Sequence, residues 1–179
     1  MSGDIPSRIV SSAHLVAEGA AELSELEYGL MVAGSAFNRW MVRCMAAAKA
    51  QDTESSDWDM GALDVQVLHT VNHRGREKKL ADVCFTLNVE ETHLVNYALK
   101  KLVKAGLVDV ARRGKEAHYG TTEKGEALCA RYREVRDACL IDTLSALGAI
   151  DNKEVGQAAS VLRALSGLYD QAARAATSL

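Results

Sequence analysis

The sequence predicts a mainly helical protein with one small β-hairpin, and three observations carry that expectation. Proline occurs once, at Pro6, and the few glycine clusters leave most of the 179 residues free of punctuation. Apolar residues recur at steps of three and four along most of the chain, the spacing of one buried helix face. One stretch, residues 107–112, switches to period two, with Val108 and Val110 on one side and Asp109 and Ala111 on the other.

The elements follow in order. Leu26, Leu30, Ala33, Phe37, Trp40 and Cys44 mark a long first helix, which the polar run at residues 50–57 ends. Asp57 or Asp59 is expected to cap the next helix, whose apolar set is Leu63, Val67, Leu68 and Val71, with Arg74 and Gly75 closing it. Residues 78–87 read as a short helix with Leu80, Val83, Cys84 and Leu87 inward. After a turn at Asn88 and Val89 comes a helix with the stripe Leu94, Val95, Ala98, Leu99, Leu102 and Val103, ended by Gly106. A hairpin follows, with Arg113, Gly114 and Lys115 at its tip and a return strand at residues 117–121. Thr122, Glu123 and Gly125 open another long helix bearing Leu128, Tyr132, Val135, Cys139 and Leu144. Beyond Gly148, Asp151 or Asn152 caps a last helix with Val155, Leu162, Leu165, Leu168 and Tyr169.

Composition limits the classes. With 48% hydrophobic and 25% charged residues the chain should fold, which excludes disordered, collagen-like and disulfide-scaffold proteins. The longest uncharged stretch that resembles a membrane span, residues 28–38, is far short of the roughly 20 apolar residues a bilayer requires, so no membrane partner is expected. The opening residues carry an acid and lack a basic and an apolar region, so the expected location is the cytoplasm. Cys44, Cys84, Cys129 and Cys139 form no C-x-x-C pair and sit in helical patterns, which argues for core positions.

The net charge of −3 hides an uneven distribution. Residues 74–124 hold 11 basic side chains against 7 acids, a surplus of four positive charges, while the rest of the chain carries −7. A basic middle between acidic arms suits a module that faces a polyanion. Helix, short helix, tight turn, helix and hairpin within about 60 residues suit a winged helix-turn-helix core flanked by long helices, for which dimerisation is the expected role on the resemblance given next. The expected organisation is an N-terminal arm and linker at 1–61, a DNA-binding module at 62–125 and a C-terminal helical region at 126–179.

The same residues resemble the MarR family of bacterial transcription regulators. The resemblance rests on Leu80-Ala81-Asp82, on Leu99-x-x-Leu102-Val103-Lys104-x-Gly106-Leu107-Val108, and on Thr122-Glu123-Lys124-Gly125 after the wing. It implies a homodimer that binds operator DNA, with the long first and last helices as the dimer interface. The chain departs from the family in its short wing, Arg112-Arg113-Gly114-Lys115, and in Glu90 and Glu91 at the start of the recognition helix, where they complement the helix dipole but repel phosphate.

Removing the inward stripe leaves Thr92, His93, Asn96, Tyr97, Lys100, Lys101 and Lys104 on the polar side of that helix. A helix in the major groove reads base edges from its N-terminal half and meets phosphate farther along, which makes Thr92, His93, Asn96 and Tyr97 candidate readers and Lys100 and Lys101 candidate phosphate ligands. Arg112, Arg113 and Lys115 are placed to enter the minor groove or clamp flanking phosphates. The competing readings are a solvated helix face and an ordinary turn whose charges prevent edge pairing.

Other constellations carry less. His69 and His73 have metal-ligand spacing without a third ligand, so no metal and no cofactor is expected, and His73 is read as a cation near a helix C-terminus. Cys44, near Arg39 and Arg43, is the best candidate among the cysteines for an oxidant sensor. The resemblance also implies a small aromatic effector, with Trp40, Arg43, His69 and Tyr132 as candidate walls; filling a core is the alternative role of these side chains. No nucleophile–base pair, paired carboxylates or phosphate loop points to an enzyme. The reading is a homodimeric, sequence-specific DNA-binding regulator of transcription, responsive to a ligand or to oxidation. The alternative is a winged-helix module that binds protein and has lost DNA contact, motivated by Glu90, Glu91 and the acidic total.

Overall fold

A computed structural model describes residues 12–16, 19–51, 58–147 and 151–179. Helix α1 spans Ala21–Ala50, α2 Ala62–Asn72, α3 Leu80–Leu87 and α4 Thr92–Lys104. Strands β1 (Lys78–Lys79), β2 (Val108–Arg113) and β3 (Glu116–Thr121) form one antiparallel sheet in the order β1-β3-β2. Helices α5 (Glu123–Arg136), α6 (Asp142–Leu147) and α7 (Asn152–Ala176) follow, α5 and α6 being joined by a π-helical turn at Asp137–Ile141. The chain packs as two compact units divided after Val135.

The first unit has one apolar core. Met41, Cys44, Met45 and Ala48 from the end of α1 are buried with Val65, Val67, Leu68 and Val71 of α2, Val83 of α3, Val95, Ala98, Leu99 and Leu102 of α4, and Leu128 and Tyr132 of α5. The end of α1 thus shares its core with the helices expected to form a separate module from residue 62. The part before Trp40 does not: Leu30 and Phe37, expected to face inward, are exposed, as are Met31 and Val32. A stripe at helical spacing shows that a face is apolar, not which partner covers it.

Local chemistry explains the boundaries. Asp59 does not cap α2, because its carboxylate accepts the N–H of Met60; Asp57 lies outside the described residues. Instead Gly61 is the N-cap and its N–H donates to Asp64 Oδ2 at 2.9 Å. Lys79 and Asp82 repeat the arrangement at α3, at 3.0 Å. Asn88 ends α3 in the left-handed conformation, φ 52°, which lets its N–H and that of Val89 close onto the last turn. Gly106, φ +72°, ends α4 as expected, with the Leu107 N–H bonding the Leu102 carbonyl.

Several expectations are corrected. Lys78 and Lys79 open no helix; they pair with Tyr119 and His118, so the hairpin is the larger part of a three-stranded sheet. A strand of two residues is too short to leave a periodicity. The tip is the two-residue turn Gly114-Lys115, since Arg113 pairs with Glu116 across the ladder. Leu94 and Val110 are exposed, whereas Val65, absent from the expected apolar set of α2, is fully buried. Cys139 is exposed and the long helix after the wing is interrupted by the π turn around it.

In the second unit, Asp151 caps α7, its side chain accepting the Lys153 N–H at 3.0 Å. Gly148 lies outside the described residues. Along α7, Val155, Val161, Leu162 and Leu168 are exposed, while Leu165 and Tyr169 are half-buried.

Candidate nucleic-acid interface

Helix α4 is amphipathic, and its burial defines what it offers. Val95, Ala98, Leu99 and Leu102 enter the core, and Thr92, His93, Tyr97, Lys100 and Lys104 are left exposed. Asn96 is half-buried at the edge of this face. Tyr97, at 71% exposure, and Lys100 and Lys104 line a groove of about 670 Å³ with Trp58, Asp59 and Lys101.

Lys101 stands apart from its neighbours. Its Nζ donates to Asp64 Oδ2 at 2.6 Å, and the carboxylate it meets is buried. The cation expected to meet phosphate is therefore engaged across the helix pair α4–α2. No local spacing in the sequence links residues 37 apart, so the pair was not legible there.

The wing presents Arg112 and Lys115 to solvent, and Arg113 is held 2.7 Å from Glu77. Across the sheet, Lys79 and Glu116 form a second pair at 2.7 Å. Hydrogen bonding between them holds the Lys79 pKa up and the Glu116 carboxyl down. Both are exposed, so solvent screening leaves such a pair with little effect on stability. His118 lies within 4.0 Å of both glutamates, at 3.9 Å from Glu77 and 3.8 Å from Glu116. Sequence reasoning missed Glu77, Lys79 and Glu116, because the β1–β3 pairing brings them to the wing.

Thr122 couples the wing to α5. Its hydroxyl donates to the Gly106 carbonyl at 2.7 Å and accepts the Gly125 N–H at 3.1 Å, so the end of α4 and the start of α5 are tied by one side chain. Two helices meeting through a turn, the second amphipathic and exposed on its polar side, beside a basic two-stranded wing, are the parts a DNA-reading module needs. A family described as winged helix DNA-binding domain matches residues 60–125.

Residues 60–125 have a winged-helix fold.

The winged-helix chain shares its fold with MarR family regulators. It is similar to CouR from Rhodococcus jostii RHA1, whose structure has p-coumaroyl-CoA bound, at 14% identity and a TM-score of 0.60, over 79% of this chain and 91% of that one. A MarR family transcriptional regulator from Rhodococcus sp. RHA1 gives 14% and 0.59, over 79% and 92%. The oxidized form of MarR from E. coli gives 15% and 0.57, over 78% and 93%. A comparison with curated protein sequences finds no match.

The first compact unit also contains the side chains considered for an effector. His69 and Tyr132 meet edge to face with centroids 4.5 Å apart. Burial lowers the His69 pKa, which favours the neutral ring, and its Nε2 has no hydrogen-bond partner. His69 lines an open cavity of about 720 Å³ with His73, Arg76, Lys78, Asp82 and Phe85. Trp40 is half-buried against the core and Arg43 is exposed. Among the described residues no group of three or more His, Cys, Asp or Glu side chains is arranged to hold a metal ion.

Cys44 is corrected as a sensor candidate. It is 1% exposed and its thiol donates to the Tyr132 carbonyl, so an oxidant cannot reach it in the folded chain. Burial pushes the Cys129 thiol up to about 12, with Glu126 adding to the shift. Among the described residues no helix is long and apolar enough to cross a membrane.

Proposed function

We propose that this protein is a homodimeric, sequence-specific DNA-binding regulator of transcription of the MarR type. The observation that carries the reading is the exposed polar face of α4, with Thr92, His93, Tyr97 and Lys100 presented beside a wing bearing Arg112, Arg113 and Lys115. Thr92 and His93 stand in the first turn and Asn96 at the edge of the face, the positions from which a groove-bound helix reads base edges. Lys100, Arg112 and Lys115 supply the point charges for phosphate, and Arg113 joins them on leaving Glu77.

The dimer reading is supported by the apolar side chains that α1 leaves exposed, Leu30, Met31, Val32 and Phe37, which a second copy is suited to cover. A small aromatic effector remains part of the reading. CouR binds p-coumaroyl-CoA, and the cavity beside His69 is large enough for an aromatic acid.

The test is binding to duplex DNA selected from the source's genome, measured over a range of salt. Log affinity should fall steeply with log salt. Asn96→Ala should lose about 1–3 kcal/mol on the selected operator and little on a scrambled duplex. Affinity indifferent to salt would instead favour a protein-binding module, the reading that the exposed Glu90 and Glu91 support.

A further inference from the structure

We infer that Lys101 is a positioning residue: through its ion pair with Asp64 it fixes the rotation of the recognition helix about its own axis and does not itself bind phosphate. This inference rests on the DNA-binding reading above.

The apolar contact between α2 and α4 sets which face of α4 turns inward, and the ion pair adds a directional restraint on its exact rotation. Val65, Val67 and Leu68 meet Val95, Ala98, Leu99 and Leu102 in one core, and burial of apolar surface is non-directional. The Lys101–Asp64 bond is directional and charge-assisted, at 2.6 Å. The Asp64 oxygen that accepts it also accepts the Gly61 N–H at 2.9 Å. The carboxylate is thus anchored to the first turn of α2 before Lys101 reaches it, and the ion pair ties α4 to a fixed point. Asp64 is 7% exposed and the Lys101 side chain 34%, which limits screening of the pair by water.

Helical geometry shows what the tie controls. At about 100° per residue, Lys100 lies about 40° from Asn96 around the axis, and Lys101 about 140° away. Lys101 therefore holds the flank against α2, Asn96 stands on the opposite flank, and Lys100 lies on the outward face between them. Side-chain tips lie about 5–6 Å from the axis, so a rotation of about 20° displaces them by about 2 Å. A base-edge hydrogen bond does not survive such a displacement, whereas a lysine on a flexible stem still finds phosphate. Loss of the pair should therefore weaken sequence reading more than general attraction to DNA.

The experiment measures the affinity of the full chain for the selected operator duplex and for a scrambled duplex of the same composition, each over a salt series. Lys101→Ala should weaken operator binding about tenfold, the scale of one base contact, weaken the scrambled duplex less, and leave the salt slope unchanged. Lys100→Ala should lower the slope by about one. Lys101→Arg, which keeps the ion pair, should stay near wild type. Asp64→Asn gives opposite signs for the two roles: a positioning pair predicts weaker operator binding, whereas a phosphate-binding Lys101 released from its carboxylate predicts tighter binding. If circular dichroism shows Lys101→Ala unfolded at the assay temperature, Lys101→Met, which keeps the aliphatic stem, takes its place. A slope reduced as in Lys100→Ala, a tighter Asp64→Asn complex, or unchanged operator affinity in Lys101→Ala overturns the inference alone. A wild-type chain without salt-dependent affinity for either duplex overturns the DNA reading and this inference with it.

Discussion

Gly125→Ala should destabilise the protein although the residue is helical, and the reason is a backbone atom. Gly125 is buried in the first turn of α5, where a β-carbon would stand 2.1 Å from the Leu107 carbonyl oxygen and 2.7 Å from Thr121 Cγ2. Carbon atoms pack at about 3.5–4.0 Å, so an opening of about 1 Å is needed between α5 and the base of the wing. The Leu107 carbonyl cannot yield cheaply, because it accepts the Thr122 N–H at 3.1 Å and Leu107 is fully buried. Alanine gains about 1 kcal/mol over glycine in helix propensity. Overpacking costs about 1–3 kcal/mol, and a backbone obstacle places this case at the upper end. The net loss is about 2 kcal/mol, or about 4–8 °C in Tm for a chain of this length. Thermal and urea unfolding followed by circular dichroism, at one fixed chain concentration, measures it. Gly156→Ala is the control: it lies on α7 with nothing within 4 Å, and should gain up to about 1 kcal/mol. A Gly125→Ala protein as stable as the wild type would refute the assigned approach of α5 to Leu107.

Cys129 holds its proton more tightly folded than unfolded, since burial raises its pKa from 9.0 to about 12. Its contribution to stability is therefore complete below about pH 9 and is lost as pH rises toward about 12; Cys129→Ala should flatten that alkaline decline in urea titrations, and an unchanged pH profile would count against the burial. In the dimer reading, Leu30→Glu combined with Phe37→Glu places charges on the exposed face of α1. Sedimentation should show a dimer for the wild type and a monomer for the double variant, and a variant that stays dimeric would place the interface elsewhere.

The helix-turn-helix order, the wing, the end of α4 at Gly106 and a cap at Asp151 or Asn152 were legible in the sequence, because each depends on residues within a few positions of one another. Periodicity reports a face within one element, and a cap or a left-handed terminus is a local hydrogen-bonding problem. The polar face of α4 was legible for the same reason, as what remained after its apolar stripe was removed. Pairing across elements was not. Lys101 looked like one more outward cation until the fold set Asp64 beside it, and Arg113 looked free until the fold brought up Glu77. Phe37 and Leu30 carried the right spacing for burial but lie exposed, since spacing marks a face without naming its cover. Gly125 belonged to a recognisable segment, yet only the 2.1 Å approach of the Leu107 carbonyl says why a side chain is excluded there. The sequence by itself determined the elements and their apolar faces, which arise from interactions between near neighbours in the chain. Tertiary structure decided which charges are paired and which stand free, because an ion pair depends on a distance between residues whose separation along the chain carries no information about it.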